Sequence, residues 1–285
     1  MNFGWQKDKF DCRDFLYKAT HKAIPEEVIL TDYFPEVRDQ GNVGSCVGFG
    51  IGANLVARAK RLGVYSEWFS PTWIYNGARF LEGTLAFDAG SRPRDALHWL
   101  YMKGCLLEHL WPYNPDKLDT TAPPSHLEPE AAKNPLLSYF RIVDGVAGIC
   151  EIVAGEYGVS VGCPWFEKWR NPGKDGILAE VNTGDAVAGG HETCILGYSN
   201  SKGFVYGINS WSKDWGANGF YKMPFQAFDV FKQLGGYDAH YIGLTAAPEE
   251  AESTCQFSQS IVKGLNWAWE KAGKKSRFPK AIVRG

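Results

Sequence analysis

The hydrophobic and polar positions change their period about halfway along the chain. Residues 46–62 lack proline, carry an apolar stripe and end in basic residues before Gly63, which predicts a helix. A serine N-cap followed by proline opens a second predicted helix over 71–81, and Pro93 opens a third that runs to Lys103. The first half of the chain is therefore predicted to be mainly helical.

The second half instead shows short β-prone segments bounded by glycine, asparagine or proline. Only one segment among them, 145–156, has a helical pattern. Between the halves, a stretch rich in Pro, Asn, Asp and Thr over 112–135 is typical of a connection between domains. The predicted strands are 136–143, 157–163, 177–181, 191–198, 203–209 and 219–223.

These patterns divide the chain into four parts. We expect an irregular leader over 1–35, with one short helix near Pro25, and a helical lobe over 36–130. A β-rich lobe follows over 131–248, and a tail with acidic, then basic and aromatic residues covers 249–285.

Composition and charge exclude several classes of protein. With 45% hydrophobic and 22% charged residues, the 285-residue chain has ordinary globular composition, and a net charge of −2 provides no general attraction to nucleic acid. The sequence contains no apolar stretch of about 18 residues, the length that would predict a membrane span. No secretory signal is visible. We expect a cytoplasmic or virion-associated protein without a membrane span or a specific nucleic-acid partner.

The first chemical motif ends where the first predicted helix begins, at Cys46. The positive end of a helix and its unpaired N–H groups favour a thiolate, the nucleophilic form of cysteine. Gly41 and Gly44 allow a sharp turn and close approach of a ligand to the backbone. Gln40 can therefore direct its amide N–H to the same point as the backbone N–H of Cys46, which is the geometry of an oxyanion hole.

Two further motifs lie in the β-rich half. His191 follows two glycines and opens a predicted strand, and Asn209 ends the next strand before Trp211 and Trp215. If the two strands pair, Asn209 can hold one imidazole nitrogen while the other faces Cys46. Nucleophile, base and orienting group would then all be present.

In this order, Gln-Gly-x-x-Gly-Ser-Cys, Gly-Gly-His and Asn-Ser-Trp-x-x-x-Trp-Gly resemble the papain-like cysteine peptidases. The leader residues Phe3-Gly4-Trp5 and Asp11-Cys12-Arg13-Asp14, together with Asp32-Tyr33-Phe34-Pro35, resemble the bacterial and phage branch of that family. The resemblance covers roughly residues 32–223. It implies an α+β fold of two lobes, a helical N-terminal lobe and a β-barrel-like C-terminal lobe, with the active-site cleft between them. It also implies a peptide or protein substrate, and neither a cofactor nor a metal.

By matching position, the resemblance assigns roles to individual residues. Cys46 is the nucleophile, His191 the general base and acid, Asn209 the group that orients the imidazole, and Gln40 the oxyanion donor. Trp211 shields the contact between asparagine and histidine from water. The positions expected to line the substrate site are Gly44, Ser45, Asp88, Ala89, Gly90, Gly190 and Trp211.

Two features depart from the family's pattern. Glu192 follows the histidine where a small residue is usual, and a carboxylate in the cleft would raise the pKa of His191 and repel acidic substrates. About 40 residues precede Gln40, too few for the family's usual inhibitory propeptide. Either another device controls activity, or the leader itself folds onto the body.

The leading hypothesis is a cysteine endopeptidase that forms a thioacyl intermediate on Cys46. One alternative is a papain-fold structural or binding component of a larger assembly such as a virion, with the tail over 249–285 as a partner-docking segment. The other keeps the chemistry and changes the substrate, to an amidase that cuts cell-wall peptides.

Overall fold

The computed structural model describes residues 2–11, 14–64 and 67–243. The three long helices predicted in the first half are confirmed, and the helix predicted over 145–156 ends slightly earlier. No helix in the described part of the chain is both long and apolar enough to cross a membrane. The helices are α1 (Cys46–Leu62), α2 (Pro71–Glu82), α3 (Pro93–Lys103), α4 (Glu128–Ala131), α5 (Gly145–Ala154) and α6 (Gln226–Gln233).

Eight strands form one mixed sheet, in the order β1-β3-β8-β4-β5-β6-β7, with β2 paired to β5 off this path. Among the strand pairs that the structure describes, β1 with β3 is parallel and the others are antiparallel. Within the described residues the sheet is open and does not close into a barrel. The strands are β1 (Leu16–Tyr17), β2 (Glu27–Ile29), β3 (Tyr139–Ile142), β4 (Val159–Phe166), β5 (Val187–Ser199), β6 (Phe204–Ile208), β7 (Phe220–Pro224) and β8 (Asp238–Ile242).

Two predicted elements are wrong. The segment near Pro25 leads into strand β2 rather than a helix, because Glu27 to Ile29 pair with the edge of β5. The segment 177–181 forms only one isolated bridge, between Ile177 and Lys222, so it makes no regular strand. Four of the elements given above, α4, α6, β1 and β8, were not predicted from the sequence.

Helix α1 lies where the helices meet the sheet. It packs against β5, β4 and α2, and Gly50 lets its backbone approach Glu192 and Thr193 of β5 closely. This contact brings the first residue of α1 to the boundary between the two groups of elements. The described cysteines, all buried and free of disulfides, are Cys46, Cys105, Cys150, Cys163 and Cys194. The predicted tail over 249–285 lies outside the described residues.

Candidate active site

Cys46 is the first residue of α1, and its side chain is fully buried. The backbone N–H groups of Glu192, Gly4 and Val47 face its sulfur and favour the thiolate, yet burial dominates and raises the pKa of the thiol to about 12. Because Glu192 directly follows His191, the sulfur lies beside the residue pair that carries the imidazole. In the conformation described, this thiol is protonated.

The imidazole of His191 is held by Asn209, as the motif spacing predicts. Nε2 of His191 lies 2.7 Å from Oδ1 of Asn209, so the amide oxygen accepts and the proton resides on Nε2. Nδ1 has no hydrogen-bond partner among the described residues and is left as an acceptor. Trp211 stacks on the imidazole at 4.5 Å between centroids, and burial lowers the pKa of His191 to about 4.

Gln40 is aimed by a serine that the motif analysis did not single out. Oγ of Ser210 donates to Oε1 of Gln40 at 2.6 Å, and the backbone N–H of Gln40 donates to the carbonyl of Ser210 at 2.9 Å. With its oxygen held, the amide directs Nε2 at two carbonyls, those of Val43 (2.9 Å) and Asn2 (3.2 Å). Gln40 therefore already binds a peptide carbonyl.

The carbonyl of Asn2 belongs to the leader, which runs through the cleft. We call residues 2–6 the cleft segment. The N–H groups of Gly4 and Trp5 both donate to the carbonyl of Gly190, at 3.1 and 2.9 Å. Ser91 donates to the carbonyl of Gly4 at 2.8 Å and accepts from the N–H of Gln6 at 3.0 Å, in a parallel bridge.

Close backbone approach explains why Gly4 lies at the centre of the cleft segment. A Cβ on Gly4 would overlap the carbonyl oxygen of Gly44. On one side of Gly4, the ring of Phe3 packs edge-on against His191 and Trp211, with centroid distances of 5.9 and 5.6 Å. The leader thus covers the imidazole, the thiol and the oxyanion donor together.

Some of the predicted substrate-lining residues contact the cleft segment, and others hold the surrounding backbone. Gly190 contacts the cleft segment directly, and the carbonyl of Ala89 accepts from the side chain of Gln6. Asp88 instead holds the turn before α1, since its carboxylate accepts from the N–H of Gly44 (2.8 Å) and from the hydroxyl of Tyr75 (2.6 Å). The backbone that pairs with the cleft segment is that of Ser91, one residue beyond the predicted segment.

Two further predicted positions, Gly90 and Ser45, are held by tyrosine hydroxyls. The hydroxyl of Tyr75 accepts from the N–H of Gly90 at 3.1 Å, which fixes the start of the pairing segment. The hydroxyl of Ser45 lies 2.7 Å from that of Tyr113, which donates to the carbonyl of Gln40 at 2.6 Å. The contact of Ser45 fixes the backbone around the cysteine, whereas Gly90 itself lies against the cleft segment, because a Cβ there would overlap the carbonyl oxygen of Gly4.

Glu192 does not raise the pKa of His191, because successive side chains of a strand point to opposite faces of the sheet. Its carboxyl lies close to Gly162 and Trp5, away from the imidazole. Burial, followed by the negative charges of Asp8 and Asp238, raises the pKa of Glu192 well above its usual value.

Known proteins share both sequence and architecture with this chain. The family model for papain family cysteine protease matches residues 25–231. An uncharacterized peptidase C1-like protein, L477, of Acanthamoeba polyphaga mimivirus is 27% identical over 256 residues, which cover 79% of this chain and 82% of that protein. A cathepsin B-like cysteine proteinase 3 of Ostertagia ostertagi is 43% identical over 88 residues, 30% of this chain and 49% of that one.

Solved structures extend the likeness to the fold. Xylellain, a cysteine protease from Xylella fastidiosa, superposes with a TM-score of 0.77 at 23% identity, over 87% of this chain and 97% of that one. Procathepsin B S9 from Trypanosoma congolense superposes with a TM-score of 0.68 at 12% identity, over 86% and 87% of the two chains.

Proposed function

Because the chain belongs to the papain family of cysteine proteases, we propose that it is an endopeptidase whose own leader keeps the cleft closed until a substrate displaces it. One observation carries this proposal. The sulfur of Cys46 faces the N–H of Gly4, the amide of Gln40 donates to the carbonyl of Asn2, and the imidazole of His191 packs against the ring of Phe3, so all three groups contact one segment of extended peptide.

In the open enzyme, Nδ1 of His191 takes the proton of Cys46, and the thiolate attacks the carbonyl carbon of a peptide bond. The N–H of Cys46 and Nε2 of Gln40 hold the oxyanion. The carbon–nitrogen bond breaks as His191 gives its proton to the leaving amine. Water then loses a proton to His191 and attacks the thioester, which releases the acid and the free thiol.

The path of the leader supports cleavage of internal bonds. The cleft segment passes from Gln40 and Trp211 at one end to Ser91 and Ala89 at the other, so an extended chain can lie across the nucleophile in both directions. The leader itself is a poor substrate in this position. The sulfur faces the N–H of Gly4, a group that it cannot attack.

Burial by the leader also keeps the catalytic pair in its neutral form. Burial raises the pKa of the Cys46 thiol and lowers that of the His191 imidazole, so both shifts disfavour a thiolate–imidazolium pair in the closed form. Displacement of the cleft segment admits water, which removes the desolvation that causes both shifts.

The test is peptide hydrolysis by the wild type and by Cys46→Ala, with labelling of Cys46 by an epoxide-type thiol inhibitor. We expect cleavage and labelling in the wild type and neither in the variant. No cleavage across a broad peptide library, even when the leader is displaced by mutation, would contradict the proposal.

The alternative roles gain no specific support. The comparisons lead to cysteine proteases, and no observation on the described residues favours a cell-wall substrate or a structural role in an assembly. A cytoplasmic or virion-associated location remains a prediction.

A further inference from the structure

The side chain of Trp5 fills a pocket built from three neighbouring strands. Gly162 of β4 pairs with both Glu192 of β5 and Asp238 of β8, and Gly190 lies against the Trp5 backbone. We call these four residues the Trp5 pocket. A Cβ on Gly162 would overlap the indole and Oε2 of Glu192, so only glycine leaves room for both groups.

Trp5 forms a hydrogen bond with only one of the two carboxyl groups in this pocket. Its Nε1 donates to Oδ2 of Asp238 at 3.1 Å. The side chain of Glu192 is 1% exposed, and neither of its oxygens has a hydrogen-bond partner among the described residues. A buried carboxyl without partners is costly, and an indole, with a single N–H, has no second donor to offer it.

We propose that Glu192 is a specificity-determining residue, and that the Trp5 pocket receives a lysine or arginine side chain of the substrate when the cleft segment leaves. This inference rests on the proposed peptidase function. The apolar stem of the substrate side chain would pass between Gly162 and Gly190, and its cationic end would reach Glu192 and Asp238. A guanidinium carries five donors in a rigid fork, enough to serve both carboxylates.

Carboxyl groups outnumber cationic side chains around the pocket. Arg141 binds Oδ1 of Asp238 at 2.7 Å and lies 3.6 Å from Asp8 and 4.0 Å from Asp14, and Lys7 adds a second positive charge near Asp238. Two cations therefore accompany four carboxyl groups once Glu192 is counted. His240 contributes no charge, because burial lowers its pKa to about 3. Arg94 pairs with Asp14 and Asp11 of the leader instead.

Oδ2 of Asp238 becomes available in part when Trp5 leaves. It accepts from Trp5 and, at 2.8 Å, from the backbone N–H of Asp8. Loss of the indole therefore frees one acceptor position beside the two unused oxygens of Glu192. These positions are the ones that an incoming cation would occupy.

The first test uses the leader itself as the ligand. Trp5→Arg and Trp5→Met are each made in the wild-type chain and in a Glu192→Gln chain. For all four variants, the rate at which iodoacetamide alkylates Cys46 is measured. We expect Trp5→Arg to be alkylated about tenfold more slowly than Trp5→Met, since a charged hydrogen bond holds the leader in place. With Glu192→Gln the two should differ by less than about threefold. Glu130→Gln, which removes an exposed charge on α4, should leave the difference unchanged.

Equal alkylation of Trp5→Arg and Trp5→Met in the Glu192 chain, or faster alkylation of Trp5→Arg, would overturn the assignment of the pocket. This readout requires a reactive thiol but no peptide cleavage. It therefore stands whether or not the peptidase proposal holds.

The second test uses substrates. A variant with a displaced leader, Gly4→Leu, is given a proteome-derived peptide library, and the products are sequenced by mass spectrometry. We expect lysine and arginine to be enriched about tenfold at one fixed distance from the cut, and Glu192→Gln to abolish most of this enrichment. Cleavage without a basic preference would overturn the substrate class alone. Absence of cleavage, with the leader test positive, would overturn the peptidase proposal and leave the pocket assignment standing.

Discussion

The leader is held by two different kinds of contact along its length. The cleft segment, residues 2–6, is bound by backbone hydrogen bonds to Gly190 and Ser91 and by the ring of Phe3. What we call the anchor segment, residues 7, 8, 11 and 14, is bound largely through charge, with Asp8, Asp11 and Asp14 facing Arg94 and Arg141.

Because of this difference, a substrate can replace the cleft segment while the anchor segment stays bound. Backbone hydrogen bonds contribute only about 1 kcal/mol each and are available to any extended peptide, so a substrate can replace the cleft segment. Loss of one partner from a buried ion pair costs about 3–5 kcal/mol, because the other charge remains buried. The anchor segment can therefore stay in place while the cleft opens.

The largest expected effect comes from the anchor segment. Arg94→Ala removes the partner of Asp14, whose carboxyl is buried, and of Asp11. We expect the free energy of unfolding to fall by about 3 kcal/mol. Urea denaturation measures this loss, and Lys133→Ala, which removes an exposed pair with Glu130, should cost less than about 1 kcal/mol. Equal losses in the two variants would show that the anchor does not depend on buried charge.

Gly4→Leu should release the cleft segment and leave the anchor intact. Its side chain would overlap the carbonyl of Gly44, and overpacking of this kind costs about 1–3 kcal/mol. We expect alkylation of Cys46 to rise about 10- to 100-fold at neutral pH, and the free energy of unfolding to fall by no more than about 1–3 kcal/mol because the anchor stays in place. Phe10→Ala is the matched control, because this leader side chain is 85% exposed. An unchanged alkylation rate in Gly4→Leu would refute the closed-cleft account.

The pH dependence of opening should expose two opposed groups. Burial lowers the pKa of His191 to about 4 in the closed form, and opening returns it toward about 6.5. Between these values the open form binds more protons, so acid favours opening. Burial raises the pKa of Glu192, so the closed form keeps a proton there that the open form releases, and acid favours closing through this group.

Glu192→Gln removes the second contribution and leaves that of the histidine. As the pH falls from about 6.5 to about 4, opening should therefore increase more steeply in Glu192→Gln than in the wild type, by up to about tenfold per pH unit. Hydrogen exchange of the Trp5 and Gln6 amides, corrected for intrinsic rates, measures opening. Parallel curves for the two proteins would contradict the opposed roles.

The smallest expected effect concerns Ser210, which contacts Gln40 and is tested in a chain whose leader has been displaced. Ser210→Ala removes the hydrogen bond that holds Oε1 of Gln40. In the Gly4→Leu background we expect kcat/KM to fall about fivefold, which corresponds to about 1 kcal/mol, with no change in the alkylation of Cys46. A parallel fall in alkylation would mean that Ser210 supports the cysteine rather than the oxyanion donor.

Residues whose roles follow from local turn chemistry could be predicted from the sequence. Cys46 after its glycine-rich turn, and Asn209 at the end of a strand, belong to this group. Strand β8 was missed because Asp238 and His240 are buried in a charge network, which hides the strand's hydrophobic alternation. The predicted strand 177–181 failed for the converse reason, since β-prone residues had only one bridge partner.

The position of the leader could not be predicted by such local reasoning. Gly4 and Trp5 form hydrogen bonds with Ser91, Gly190 and Asp238, and the ring of Phe3 packs against His191, all far away in the sequence. The surroundings of Glu192 depend on the same distant contacts. From the sequence alone, the carboxyl of Glu192 was therefore expected near His191 rather than near Trp5.

The most direct test of the closed-cleft peptidase adds the leader back as a separate molecule. Hydrolysis of a fluorogenic peptide by Gly4→Leu is measured with increasing amounts of a synthetic peptide of residues 2–8, and a scrambled peptide serves as the control. The account predicts hydrolysis that Cys46→Ala abolishes, and competitive inhibition by the leader peptide alone. Hydrolysis that persists in Cys46→Ala, or that both peptides leave unchanged, would contradict it.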